Sequence, residues 1–492
     1  MKRDAETPSV GDDVLRSSEV GGHVIRGGAL RVGAYVAGLA LVAAASVLLL
    51  RHLGVVEFGR YVTVMSLVAI VAGVADAGLT AVGARELALR SDPVERQRLV
   101  GSLVALRLTL TPLGVALAIA FAFVAGYDAV LIEGTLLAGA GLVLTVTQGT
   151  LTIPLAVELK NGRLALVELL KQFVTVLGIG VLALAGATLL PFFAVQIVVG
   201  LALLASTPLL GGPGLLVAPR ADRAQIAFLL REAIPIAVAL ALAQVYFRIL
   251  VIMLSLMATE RETGLFGTSY RIIEMLFLVP GILFSVVLPV TSVAGAEDET
   301  RLRYVLQRMT EVGLVLSIYL AIAIAIVAEP VIEILGGSEY LDAAPVLRIQ
   351  VFALIGFFLN QAWATVLISI GAQRRIAISN AIALASLFAL GLALIPPYGI
   401  EGAAIAAVVA DALLAGLLFV AIKRARRGVE PDMAFAWRAV LAGGLAAAAV
   451  LLPGSLPWVE LVVASVVYWC AAGALRLIPS EVKDTLPRLR GG

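Results

Sequence analysis

Long apolar runs separated by short polar joints cover most of this chain. About 20 apolar residues cross the hydrocarbon core of a bilayer as a helix, so each run of about 18 or more is a candidate span. Fourteen qualify: 29–50, 60–82, 99–125, 129–152, 164–186, 189–210, 231–256, 264–292, 304–327, 345–370, 376–396, 402–422, 434–452 and 456–475. Pro112, Pro154, Pro235, Pro280 and Pro289 lie in or near these runs, where neighbouring helices can compensate a lost backbone bond. The pattern predicts an all-α polytopic membrane protein.

The basic residues test that count. With the N-terminus inside, the tail, every second joint and the C-terminus face the cytoplasm, and all but eight of the 36 Lys and Arg fall there. Arg51, Arg60, Arg261 and Arg348 lie on the opposite side, and Arg107, Lys171, Arg248 and Arg271 lie inside spans. This strong bias toward one face supports both the number of spans and a plasma-membrane topology with both termini cytoplasmic. The first run reads as an uncleaved span, because no small-residue cleavage site follows it.

Composition narrows the class further. Of the 492 residues 61% are hydrophobic and 14% charged, with a mean hydropathy of +1.03. A soluble chain of this size would carry about 25% charged residues. No basic nucleic-acid footprint is present. Cys470 is the single cysteine, and His23 and His52 are far apart and outside the spans, so no metal site or cofactor is expected. No nucleotide-binding G-x-x-x-x-G-K-[ST] loop and no catalytic constellation of Ser, His, Asp or Cys is present, and no long extramembrane loop could host one. The chain is expected not to be an enzyme.

One joint echoes another. Leu53-Gly-Val-Val-Glu57-Phe-Gly59-Arg-Tyr61 joins the first two spans, and Leu256-Met-Ala-Thr-Glu260-Arg-Glu262-Thr-Gly264-Leu-Phe266 joins the seventh and eighth. Both place an acid, then Gly and an aromatic, at the start of the next helix. Both lie on the outer face, which implies parallel repeats related by an axis along the membrane normal. The expected organisation is a cytoplasmic tail (1–28), an N-lobe of six spans (29–210) and a linker (211–230). A six-span C-lobe (231–422), two further spans (423–475) and a tail (476–492) follow.

The intramembrane charges are the candidate chemistry, because even on a lenient scale a charge at mid-span costs about 2.5–3.5 kcal/mol. Arg248 and Arg271 lie on consecutive spans, with Gln244 and Glu274 one turn away on the respective faces. Arg107 and Lys171 sit at similar depth in the first lobe. Four cations near the midplane suit a central cavity that holds an anion; the alternative is local pairing, Arg271 with Glu274 and Lys171 with Glu168. Asp411, with no cation nearby in sequence, is the stronger candidate for ion coupling. Asp76 is either a second one or, near Arg85, part of a helix junction. Gln148, Gln244, Asn360 and Gln361 either line a sugar-binding cavity or hydrogen-bond between helices.

Four stretches together resemble a known family. They are Leu53-Gly-x-x-Glu57-Phe-Gly59-x-Tyr61 with Ala75-Asp76-Ala-Gly78-Leu79 and Ala84-Arg85-Glu86-Leu-Ala88; Thr263-Gly264-Leu-Phe266 with Pro280 and Leu288-Pro289; Gly336-Gly-Ser-Glu339-Tyr340-x-x-Ala343-Ala-Pro345-Val-Leu347; and Ile395-Pro-Pro397-Tyr398-Gly399-Ile-Glu401-Gly402-Ala403-Ala404-Ile-Ala406. In this order, over roughly residues 30–425, they resemble the polysaccharide and O-antigen repeat-unit flippases of the MATE-like multidrug/oligosaccharidyl-lipid/polysaccharide exporter superfamily. The resemblance implies two six-helix lobes around a central cavity, two appended helices and rocker-switch alternating access. It implies a polyprenyl-(pyro)phosphate-linked glycan as cargo, its tail left in membrane lipid, and other polysaccharide-assembly proteins as partners. The motifs do not contain Arg248 or Arg271, so those residues rest on the charge argument alone. A cation-coupled exporter of amphipathic small molecules and a non-transporting scaffold of an envelope-assembly complex are the alternatives.

Overall fold

The computed structural model describes residues 18–76, 78–285, 299–426, 428–450 and 456–477. Among them are sixteen α-helices: α1 (Ser18–Asp76), α2 (Leu79–Ala88), α3 (Pro93–Val124), α4 (Ala129–Leu151), α5 (Ile153–Val157), α6 (Asn161–Leu184), α7 (Leu189–Gly211), α8 (Arg223–Met257), α9 (Glu260–Ser285), α10 (Glu299–Ile326), α11 (Ala328–Gly336), α12 (Ala343–Gln350), α13 (Ala353–Ser369), α14 (Gln373–Ala425), α15 (Ala436–Ala448) and α16 (Pro457–Ala474). Ten helical stretches among the described residues are long and apolar enough to cross a membrane. Two of these, in α1 and α14, are each a pair of spans joined at one non-helical glycine, Gly54 and Gly399. The charged α9 and the short α15 complete the fourteen. Gly54 has φ 71°, a left-handed value that a side chain resists, so the expected loop between the first two spans contracts to a single residue.

Several boundaries differ from the apolar pattern, each for a local reason. The second span ends at Asp76, because Gly78 (φ 70°) turns the chain into the separate helix α2. The seventh begins at Arg223, inside the expected linker, where the Asp222 carboxylate accepts from Ala224 N and Gln225 N and caps it. The eighth is described only to Ser285, so Leu288, Pro289 and the rest of 264–292 lie outside the described residues, as do 1–17 and 478–492 of the expected tails. The outer loop at 328–345 is itself helical. Its Ile332, Leu335 and Tyr340 pack on Leu49, Leu50, Val55 and Phe58 of α1, and the Tyr340 hydroxyl donates to Leu50 O at 3.0 Å.

Spans thirteen and fourteen dock on α10 through small residues, which let apolar helices approach closely. Ala439, Ala442, Ala446, Ala464 and Ala472 are buried there, and the Tyr468 hydroxyl donates to Val315 O at 2.6 Å.

The lobes meet at both faces, named here as the charge distribution orients them. At the outer face the two echoed joints cross. A Cβ on Gly59 would collide with the Glu260 carbonyl and lie 2.9 Å from Gly264 N, and one on Gly264 would collide with Val55 O. The glycines of the motif are therefore a backbone-to-backbone crossing between the second half of α1 and α9. Beside it Arg60 pairs with Glu260 at 3.0 Å across the lobes and with Asp128 within its own, and Tyr127 hydrogen-bonds Ser255 at 2.5 Å. At the inner face Gln244 fills the space beside Gly73, and Arg85 pairs with Glu232 at 2.7 Å.

Overpacking a close contact costs about 1–3 kcal/mol, so Gly59→Val should splay the outer crossing. An Arg60→Cys/Glu260→Cys pair is expected to cross-link efficiently on its own and poorly when Gly59→Val is added. Equal yields would show that the crossing does not hold the lobes together.

Candidate functional site

Below the outer crossing, the second half of α1 turns Phe58, Tyr61, Val62, Met65 and Ala69 toward a cavity of about 250 Å³. Farther along the same helix Gly73 meets Gln244, so the cavity sits between the two sets of interlobe contacts. The first half of α1, α6 and α7 complete the N-lobe wall; α8 and α9 form the other.

The charged residues converge on that second wall. Arg248 projects from α8, nine residues or about 13 Å before its outer end. Arg271 and Glu274 project from α9, one turn apart on one face. The two oxygens of Glu274 are divided between the arginines. Oε1 accepts from Arg248 Nη2, and Oε2 accepts from Arg271 Nη1 at 3.3 Å. Arg271 Nε also donates to the Ser46 hydroxyl of the N-lobe at 3.1 Å, and the Arg248 guanidinium lies 5.8 Å from the centroid of Tyr270. One carboxylate thus serves two cations, and the group carries a net positive charge. All three are half-buried and line the cavity.

The remaining candidates fall elsewhere. Arg107 does not line this cavity; its side chain is 5% exposed and pairs with Asp76, while Nη2 donates to Thr80 Oγ1 at 2.6 Å. Asp76 therefore joins α1 to α3 at the helix junction, and Arg85, the partner proximity in sequence suggested, turns instead to Glu86 and Glu232. Lys171 is 45% exposed beside Glu168 at 3.7 Å, one turn below the cavity residue Thr175. The two-cations-per-lobe symmetry expected from depth alone is not what the helices present: rotation of its helix turns Arg107 from the cavity toward Asp76, and Lys171 lies a turn below the lining.

Gln244 makes the inner interlobe contact described above. Gln148 is buried within the N-lobe, its Nε2 without a partner among the described residues. Asn360 donates to Asp411 O at 3.4 Å, and Gln361 is half-buried with no side-chain hydrogen bond among the described residues. Asp411 is buried inside the C-lobe, where it accepts from the Tyr246 hydroxyl at 2.9 Å and lines a second, small cavity with Tyr270 and Gln350. No group of three or more potential metal ligands occurs among the described residues. The sequence reading missed Ser46, Tyr61, Gln172, Gln196 and Tyr270 as cavity residues. Tyr270 adjoins Arg271 and Gln172 adjoins Lys171, but Gln196 had only its isolation in an apolar run to mark it.

Residues 235–394, most of the C-lobe, match the MatE family model. The lipid II flippase MurJ, in an inward closed conformation, shares the fold with a TM-score of 0.71 at 13% identity, over 90% of this chain and 98% of that one. The match to the family model is confined to residues 235–394, and the fold shared with MurJ extends over most of the chain. A multidrug-resistance MATE transporter of the MOP superfamily, inward-facing, gives 0.64 at 14% identity, over 79% of this chain and 94% of its own. Its outward-facing counterpart gives 0.57 at 14% identity, over 80% and 94%. No curated protein matches in sequence. In the MatE portion lie Arg248, Arg271, Glu274 and Asn360; Asp411 lies beyond it.

The Arg107–Asp76 pair gives a stability test. Removing one partner of a buried ion pair costs about 3–5 kcal/mol, whereas replacing both with apolar groups is often neutral. Asp76→Leu is expected to lower Tm markedly, and Asp76→Leu/Arg107→Leu to restore most of it. A double variant no more stable than the single one would contradict a structural role for the pair.

Proposed function

We propose that this protein moves a polyprenyl-(pyro)phosphate-linked oligosaccharide from the inner to the outer leaflet of the plasma membrane by alternating access, for assembly of a cell-surface polysaccharide. The observation that carries the reading is the sharing of Glu274 by two half-buried arginines within the central cavity. A guanidinium presents a planar fork of donors that matches phosphate oxygens, and such charge-assisted bonds are about twice as strong as neutral ones. The incoming phosphate takes over donors now directed at Glu274, and the freed carboxylate loosens the tie between α8 and α9. Arg271 also reaches Ser46 across the lobes, so its change of partner is felt in the interlobe contact. The likeness of fold to MurJ supports a lipid-linked cargo, and the prenyl tail stays in the bilayer.

A second reading is a cation-coupled exporter of amphipathic small molecules. The MatE match and the burial of Asp411 beside Tyr246 favour it. Asp411 is also the residue proposed to couple an ion gradient to flipping. Lys171, near the cavity's inner rim, is proposed to attract the anionic head before it reaches the arginines.

Loss of one charge-assisted bond costs about 1.5–3 kcal/mol, so Arg248→Ala or Arg271→Ala should each weaken binding of a polyprenyl-pyrophosphate sugar at least tenfold. Binding of an uncharged prenyl sugar should change little. Equal affinity of the unmodified protein for the charged and uncharged lipids would overturn the phosphate reading. The exporter would then be tested by whether Asp411→Asn abolishes ion-coupled efflux.

A further inference from the structure

The two walls of the cavity differ in chemistry. Its ionised residues, Arg248, Arg271 and Glu274, all come from α8 and α9 of the C-lobe. The N-lobe wall opposite them offers Tyr61, Gln172, Thr175 and Gln196, which are polar and neutral. Arg107, the intramembrane arginine of that lobe, is turned away into its pair with Asp76.

Those neutral groups are held ready. The Tyr61 ring stacks on Phe193 with centroids 5.4 Å apart and planes at 11°, which fixes where its hydroxyl points. That hydroxyl and the Gln196 amide make no hydrogen bond among the described residues. Gln172 spends one N–H on Glu168 at 2.8 Å and keeps its carbonyl free. Amides and phenols both donate and accept, which suits the hydroxyl and acetamido groups of a sugar. No cation of this wall lines the cavity: Lys171, a turn below the lining, is paired with Glu168 at 3.7 Å, and Glu168 itself lies one turn from Gln172. At about 250 Å³ the cavity falls short of the ~300–1,000 Å³ of a typical small-molecule site. A whole oligosaccharide therefore does not fit within it, and only the part next to the phosphate is close to this wall.

We propose that the N-lobe wall is a subsite for the sugar next to the phosphate and that it selects a neutral sugar, with Gln172, Gln196 and Tyr61 as its specificity-determining residues. This rests on the phosphate reading above: the C-lobe holds the anion while the N-lobe reads what is attached to it. Because the two lobes hold different parts of one molecule, cargo with a neutral first sugar ties them together in a way that bare lipid phosphate does not.

The test is equilibrium binding to the full-length protein in lipid nanodiscs. Three probes are compared: polyprenyl pyrophosphate, the same lipid bearing one N-acetylhexosamine, and the same lipid bearing one hexuronic acid. One to two neutral hydrogen bonds correspond to about tenfold in affinity. The N-acetylhexosamine lipid is expected to bind about tenfold more tightly than the sugar-free lipid, and the hexuronic acid lipid no more tightly than it. Gln172→Leu/Gln196→Leu should erase that advantage and leave sugar-free binding unchanged, which also shows that the variant is folded. Gln196→Asn, a milder change, should reduce it in part. Equal affinity of the unmodified protein for sugar-free and N-acetylhexosamine lipids would overturn the subsite with the phosphate clamp intact, as would variants that weaken both lipids alike. Binding of neither pyrophosphate lipid would overturn the clamp and the subsite together.

Discussion

A single carboxylate placed between two arginines governs this cavity. Two guanidinium groups in a membrane domain repel one another and are costly to remove from water. Glu274 makes their approach tolerable by giving one oxygen to each. It does not neutralise them, and the surplus positive charge is what an anionic ligand meets. The arrangement needs α8 and α9 to leave their shared turn at 258–259 with these faces toward each other. It also needs the N-lobe close enough for Ser46 to accept from Arg271. The crossing at Gly59 and Gly264 brings that about, since any side chain at either position would push α1 and α9 apart.

Charge placed inside the N-lobe works differently. Arg107 is more deeply buried than either cavity arginine, yet Asp76 and Thr80 meet it within its own lobe. It stabilises a helix junction next to the glycine turn that starts α2, and α2 in turn carries Arg85 to its contact with Glu232 of the C-lobe. The N-lobe thus commits its buried cation to structure and presents neutral polar groups to the cavity. The C-lobe presents its cations to the cavity and keeps Asp411 out of it.

Much of this was legible in the chain. Apolar run length, supported by the one-sided distribution of arginines, was enough for the fourteen spans, because bilayer thickness and the positive-inside bias act on each segment separately; the two lobes were legible in the echoed joints. The Glu274–Arg271 pair followed from helical spacing. Less legible was whatever depends on how the helices are rotated and set against each other: Arg107 has suitable depth but faces away from the cavity lining, Lys171 lies a turn below it, and Gln196 lines it without any local signature. The echoed glycines stood out as a pattern, but only the packed helices reveal that they touch each other. The helical form of the loop at 328–345 was hidden for the same reason, its apolar face having meaning only against α1.

The central claim is that cargo phosphate competes with Glu274 for the two arginines. Affinity for polyprenyl pyrophosphate, measured for the unmodified protein and for Glu274→Gln, tests it most directly. Removing the resident competitor should tighten binding, by about tenfold if one charge-assisted bond no longer has to be broken. Weaker or unchanged binding in a variant that remains folded would mean that Glu274 holds the arginines in place for the ligand, and the account of displacement would be wrong.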